Sequence, residues 1–312
     1  MEKVKSKKGF LTGAQRIRAM KKSKWLYLMM LLPLIYYAVF CYAPMYGILI
    51  AFEDYKIAKG VLGSKWVGFK WFSKFITDPY FWKLVRNTLL LNIYGLLWGF
   101  PIPIILAIML NEVRHTAYKR VIQTLSYLPH FISTVVVCGM IVNFLSLDGI
   151  INQFLAFLGQ DKIQFLMKPE WFRTIFTASG IWQSCGWNSI VYLAALMAVD
   201  QQLVEAAEID GANRFQRILH VSLPCIAPTI SIMLIMQLGK LMTLGYEKIL
   251  LLYNGSTYET ADVISTYVYR RGILNADYSY STAVGLFQTF VSLILLVASN
   301  KISKRLSETS LW

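Results

Sequence analysis

The sequence predicts an all-α membrane protein of six transmembrane helices with both termini in the cytoplasm. Three observations predict it. Apolar residues make up 56% of the 312 and charged residues only 15%, against about a quarter charged in soluble domains. Six stretches lack Asp, Glu, Lys and Arg for long enough to cross a hydrocarbon core: 25–52, 87–111, 121–147, 174–199, 221–239 and 278–300, of 28, 25, 27, 26, 19 and 23 residues. A crossing needs about 20 residues, and a central charge costs about 2.5–3.5 kcal/mol on insertion scales. Finally, the first 24 residues carry nine Lys or Arg against one Glu, which holds that end inside. An even number of crossings returns the C-terminus to the same side.

The elements follow in order. Segment 1–24 is a basic cytoplasmic extension whose stretch 10–24, with Arg16, Arg18, Lys21 and Lys22, can lie along anionic lipid headgroups. Residues 25–312 form one transmembrane domain. The first apolar run is longer than the about 7–15 residues of a signal-peptide core and is expected to be retained. Pro33 and Pro44 bend it, and Pro101 and Pro103, after Gly99, bend or interrupt the second span. The third span holds His130. Segment 149–158 is too short to cross and packs as an outer-surface helix. Loops 53–86, 148–173 and 240–277 face outward, and the Lys-rich first of these runs against the charge bias.

Composition also excludes. Cys41, Cys138, Cys185 and Cys225 lie in or at the apolar runs with no CxxC spacing, so they read as small buried hydrophobes. The net charge of +14 belongs to lipid headgroups, since no basic stripe crosses a soluble fold, and no nucleic acid is expected. No phosphate loop, GxGxxG turn, HExxH pair or GxSxG elbow occurs, so the chain is not expected to be an enzyme. A secondary transporter would need intramembrane carboxylates, and no Asp or Glu lies in the six stretches. A non-transporting scaffold stays open on composition alone.

Asn92, His130, Asn143, Gln183, Asn188, Gln237 and Gln288 are polar groups inside apolar runs and require partners there. Interhelical hydrogen bonds, worth about 0.6 kcal/mol each, are the ordinary answer. Asn92, Gln183 and Asn188 are the candidates for contact with a polar solute. Tyr94, Trp98, Trp182 and Trp187 offer ring faces within the spans, although most Trp and Tyr belong to interface belts.

The loop between the fourth and fifth spans is built differently. Asp200 caps a short helix with Leu203, Val204, Ala206, Ala207 and Ile209 as its apolar side. Asp210-Gly211 ends it, because glycine accepts the positive φ of a sharp corner. A second short helix follows, with Phe215, Ile218, Leu219 and Ser222 on one side and Arg214, Gln216 and Arg217 outward, and Pro224 sets the return to the membrane. Its mixed charge argues against a hairpin lying on headgroups and favours a knob that docks a soluble partner.

Glu205-Ala206-Ala207, three residues, Gly211, nine residues and then Val221-x-Leu223-Pro224 resembles the EAA loop of binding-protein-dependent ABC importer permeases of the type I fold. Only Val221 departs, standing where the family usually has Ile. "WVGFKWFSKFITDPYFWKLVRNTL" (66–89), "LPHFIS" (128–133) and "DGIINQFLAFLG" (148–159) are similar to the branch that takes up oligosaccharides or polysaccharide fragments. The resemblance implies a coupling loop at 200–224, with Glu205, Ala206, Ala207, Asp210, Gly211 and Ala212 contacting an ATPase and Leu223 and Pro224 transmitting its motion. It implies a second permease subunit as heterodimer partner, two ATPase subunits and an extracellular sugar-binding protein docked on the outer loops. ATP and Mg would be held by the ATPase, with no cofactor on this chain, in a bacterial cytoplasmic membrane.

Overall fold

A computed structural model describes residues 22–307, with side chains through Lys304. Most of the basic segment 1–24 therefore lies outside the described residues. Among the described residues, five helices are long and apolar enough to cross a membrane. They are α1 (Lys24–Phe52), α3 (Phe81–Glu112), the run Thr134–Phe157 formed by α5 (Thr134–Leu145) and α6 (Ile150–Phe157), α9 (Arg214–Gly239) and α13 (Tyr278–Lys304, helical to Ser307). The sixth is α7 (Pro169–Met197), which passes only together with α8 (Gln201–Ile209), bent 71° from it. Shorter helices are α2 (Lys70–Ile76), α4 (Thr116–Tyr127), α10 (Tyr246–Leu252), α11 (Tyr258–Ala261) and α12 (Ile264–Tyr269).

Each proline acts locally. In α1, Pro33 is followed by a π-helical stretch over Tyr37–Tyr42 and then a 3-10 stretch over Ala43–Phe52. In α3 the chain turns at Phe100 and resumes with Pro101 at the first helical position, where its missing N–H costs nothing. Pro129 corrects the sequence reading of the third span. Stretch 121–147 is not one helix: α4 ends at Tyr127, a 3-10 turn covers Leu128–Phe131, and α5 restarts at Thr134 under the Ser133 cap. Segment 150–157 is helical as expected but continues the crossing run instead of standing apart.

Burial is concentrated in three clusters. One joins Ala51 of α1, Trp71 and Phe75 of α2, Leu84 of α3, Ile264 and Tyr267 of α12, and Tyr280 and Val284 of α13. A second joins Leu91, Cys138, Phe172, Ile249, Leu252 and Val263. The third, nearest the 200–224 loop, joins Ala107 and Leu110 of α3, Tyr192 and Leu196 of α7, and Ile226 of α9. From Trp25 to Tyr46, by contrast, every large apolar side chain of α1 is exposed, an arrangement that is stable when lipid or another helix covers it.

Segment 240–277 is more than a connecting loop. Read as an outer loop, it folds back into the bundle, and Ile249, Val263, Ile264 and Thr266 are fully buried. Polar anchors hold it. Buried Asn87 donates to the carbonyls of Glu259 (2.8 Å) and Asp262 (3.0 Å) and accepts from Arg173 (3.2 Å). Thr88 accepts from the Ile264 amide at 3.1 Å. Arg270 binds both oxygens of Asp262, at 2.8 and 2.6 Å, and Thr266 donates to the same carboxylate at 2.7 Å. Asn87→Leu would leave two carbonyls and a guanidinium without this partner. At about 1–3 kcal/mol for each orphaned group, it is expected to lower the thermal midpoint of the purified protein by several degrees; an unchanged midpoint would contradict the anchoring role.

Candidate functional site: the 200–224 loop

The 200–224 loop forms as local rules dictate. The Asp200 carboxylate accepts from the Gln202 amide at 2.9 Å and caps α8. At the other end Gly211 takes φ +81°. The Ala212 amide then reaches the Ala207 carbonyl (2.9 Å), and the Gly211 amide reaches Glu208 (3.1 Å). These two bonds make a Schellman closure, which requires the left-handed residue that glycine supplies. Immediately after it, Asn213 and Gln216 exchange side-chain-to-backbone bonds of 2.9 and 2.8 Å. Sequence reasoning settled on the glycine and missed this reciprocal cap, although the Asn-x-x-Gln spacing signals it.

The second half differs from expectation. No separate short helix precedes the membrane; α9 begins at Arg214 and runs to Gly239 as one span. A π-helical stretch over Ile218–Ser222 precedes Pro224, which sits in the first turn of the α-helical part. The wider turn accommodates the amide that proline lacks without breaking the rod. Leu223 is half-buried and Pro224 exposed at this joint.

Ion pairs brace the corner. Glu208 of α8 pairs with Arg217 of α9. Arg214 pairs with Glu112 at the end of α3 (2.6 Å) and donates to the Glu112 carbonyl (3.0 Å). The loop is thereby tied to two spans, α3 and α9, as well as to α7 before it. Its outer surface is apolar and open: Ile209 is 87% exposed and Phe215 72%. Glu205 and Ala206 are exposed, while Ala207 and Ala212 are half-buried beside a hollow of about 300 Å³ that also touches Asp210, Gly211 and His220.

Of the three residues expected along a solute path, two are bonded to backbone carbonyls and one is exposed. Asn92 donates to the Thr88 carbonyl of its own helix at 3.0 Å. Gln183 donates across to the Ile132 carbonyl at 3.1 Å, satisfying the break after Pro129. Asn188 is exposed on α7. His130 stacks on Trp187 with ring centroids 4.5 Å apart, and Gln288 donates to the Met242 carbonyl. A cavity of about 670 Å³ lies elsewhere, between α10, α12, α13 and the turn that follows α9. Thr243, Tyr246, Tyr269, Thr282 and Gln288 line it, the rings of Tyr246 and Tyr269 stack at 5.1 Å, and the wall hydroxyls of Ser265 and Ser281 are buried without a partner. Hydroxyls are common outside binding sites, and nothing in their spacing singled these out.

Comparison with known proteins places this architecture. The Bacillus subtilis (strain 168) protein LplB is 44% identical over 96% of this chain and 95% of its own. The polygalacturonan/rhamnogalacturonan transport system permease protein YteP of the same organism is 45% identical over 93% and 91%. Among solved structures, a chain of a bacterial alginate ABC transporter in complex with an alginate pentasaccharide-bound periplasmic protein superimposes with a TM-score of 0.86 at 43% identity, covering 94% of this chain and 99% of that one. Residues 99–308 match the family described as "Binding-protein-dependent transport system inner membrane component". With spans, loop and relatives in agreement, this chain belongs to that family and is a multi-pass membrane permease.

Proposed function

We propose that this chain is one permease half of a sugar-importing ABC transporter of the type I fold and that α8 with its glycine corner is the lever an ATPase moves. The supporting observation is the braced loop, which carries an exposed apolar surface and is joined through Arg214–Glu112 and Glu208–Arg217 to α3 and α9. Closure of two ATPase subunits on nucleotide, with ATP and Mg held there, would turn these spans as bodies. A second permease subunit completes the path and covers faces such as that of α1. A sugar-binding protein delivers solute to the side opposite the loop, and both termini lie on the loop side. Oligosaccharides or polysaccharide fragments are the cargo this reading favours, as the named functions of YteP and the alginate transporter suggest. The cavity between α10, α12 and α13 adds stacked rings and unpartnered hydroxyls, groups that suit a sugar's apolar face and its OH groups.

The test reconstitutes this chain with its partner permease, the ATPase and the binding protein in liposomes. ATP-dependent accumulation of a defined oligosaccharide is expected, and none when the ATPase is omitted. A complex that binds ATPase yet accumulates no solute would establish a scaffold instead.

A further inference from the structure

Several arginines of the fold are neutralised by a carboxylate. Arg270 has both oxygens of Asp262, and Arg214 and Arg217 have Glu112 and Glu208. Two half-buried cations, Arg173 on α7 and Lys248 packed beside it, lack such a carboxylate. Arg173 and Lys248 form no ion pair among the described residues. The side-chain bond of Arg173 is a 3.2 Å contact to the neutral amide of Asn87, its Nε is buried without a partner, and its charged neighbour is Arg86, another cation. The Lys248 amine, on α10, lies 3.3 Å from the Phe176 carbonyl and 5.1 Å from the centre of the Phe176 ring. That neutral carbonyl, which also accepts from the Ser179 hydroxyl at 3.0 Å, gives the amine a hydrogen bond but no opposite charge. Opposite, Gly180 leaves space that any side chain would narrow, since a Cβ there would lie 3.5 Å from the amine.

Both cations border one stripe of α7. Arg173, Phe176, Gly180, Gln183 and Trp187 fall at i, i+3, i+7, i+10 and i+14, a single face of the helix. An unpaired cation half out of water is unfavourable, and burial pushes the Lys248 amine down to about 8. An anion arriving from outside would relieve both sites, whereas a neutral solute would not.

Resting on the permease reading above, we infer that Arg173 and Lys248 form an anion-binding stripe on α7 that receives the carboxylates of acidic, uronate-bearing oligosaccharides. Arg173 offers a planar fork suited to bidentate contact, and Lys248 a point charge about two helical turns further along. The ring of Phe176 between them provides an apolar face for the sugar.

The test measures equilibrium binding at pH 7 to the complete transporter in lipid nanodiscs, without binding protein. One probe is radiolabelled trigalacturonate; the other is the same trisaccharide with its carboxyl groups reduced to alcohols. The wild type is expected to bind the acidic probe at least ten-fold tighter than the reduced one. Lys248→Gln should erase most of that preference while leaving binding of the reduced probe within two-fold, and Lys248→Arg should retain it. Arg173→Gln should act in the same direction. Equal binding of the two probes by the wild type, no binding of either, or an equal loss of both probes in Lys248→Gln, would overturn the stripe. Failure of the permease reading would show separately, as absence of ATP-driven uptake of any sugar in the liposome experiment.

Discussion

Gly211→Val is expected to reduce ATP-driven uptake by more than ten-fold while leaving expression and membrane insertion near wild type. The residue sits at φ +81° with open space around the site of a side chain, so the penalty is conformational and not steric crowding. A left-handed non-glycine residue costs about 1–2 kcal/mol, and β-branching makes it worse. The chain escapes by opening the corner, which breaks the bonds from Ala212 to Ala207 and from Gly211 to Glu208 and lets α8 swing on its own axis. The six spans do not depend on that corner for insertion. A graded series gives the signature: Asn, which tolerates this region, should stay closest to glycine, Ala should be intermediate and Val worst. Stimulation of the ATPase by this chain should fall in the same order as uptake. Equal activity across the series would mean that the corner has no mechanical role.

Gly186→Leu is expected to have the largest effect on folding. Gly186 is buried on α7 against α4, and a Cβ built there would land on the Ser126 carbonyl, well inside contact distance. The neighbour is backbone and lacks a flexible side chain that could yield. Overpacking ordinarily costs about 1–3 kcal/mol, and here the helices must part. The yield of monodisperse protein by fluorescence-detected size exclusion should drop several-fold, with Ala intermediate. Gly95→Ala, on α3 with nothing within 4 Å of its added methyl, is the control and should be neutral. Wild-type yield from Gly186→Leu would contradict the α4–α7 packing described.

These two glycines also show what a sequence makes legible. Gly211 can be read because its role is local: a cap at Asp200, a helix of two turns and a corner obey short-range rules. Gly186 cannot, because its constraint comes from a stretch of backbone 60 residues earlier in the chain, which only the tertiary structure brings close. Counting between charges locates the spans, since the cost of a charge in lipid is large. The same method is blind at Pro129, where a helix breaks without any charge to mark it, and it merges α4 with α5. It says nothing of how the outward loop 240–277 packs. There Asn87 donates to the Asp262 carbonyl, Thr88 accepts from the Ile264 amide and Arg270 binds the Asp262 carboxylate, so a polar composition coexists with complete burial of Ile249 and Val263.

The candidate site divides on the same line. Glu205 through Ala212 is legible, and so is the cap that begins the helix; the continuity of α9 through a π-helical stretch is not, because Pro224 reads as a break until the wider turn is seen. Asn92 and Gln183 stand out as polar residues in apolar surroundings, yet backbone carbonyls occupy their amides. Arg173 lies at the edge of a charge-free stretch and Lys248 in a segment read as a loop, so a search confined to the stretches passes over both.

Coupling through this loop requires α8 to seat in the ATPase. An Ile209→Cys variant, in a chain whose Cys41, Cys138, Cys185 and exposed Cys225 are replaced by serine or alanine, tests this most directly. Oxidative cross-linking to single cysteines along the groove of the ATPase should give a specific adduct with one or two neighbouring positions, suppressed when Gly211 is valine. A thiol at position 209 that stays free with every ATPase position, while the complex still imports sugar, would contradict the account.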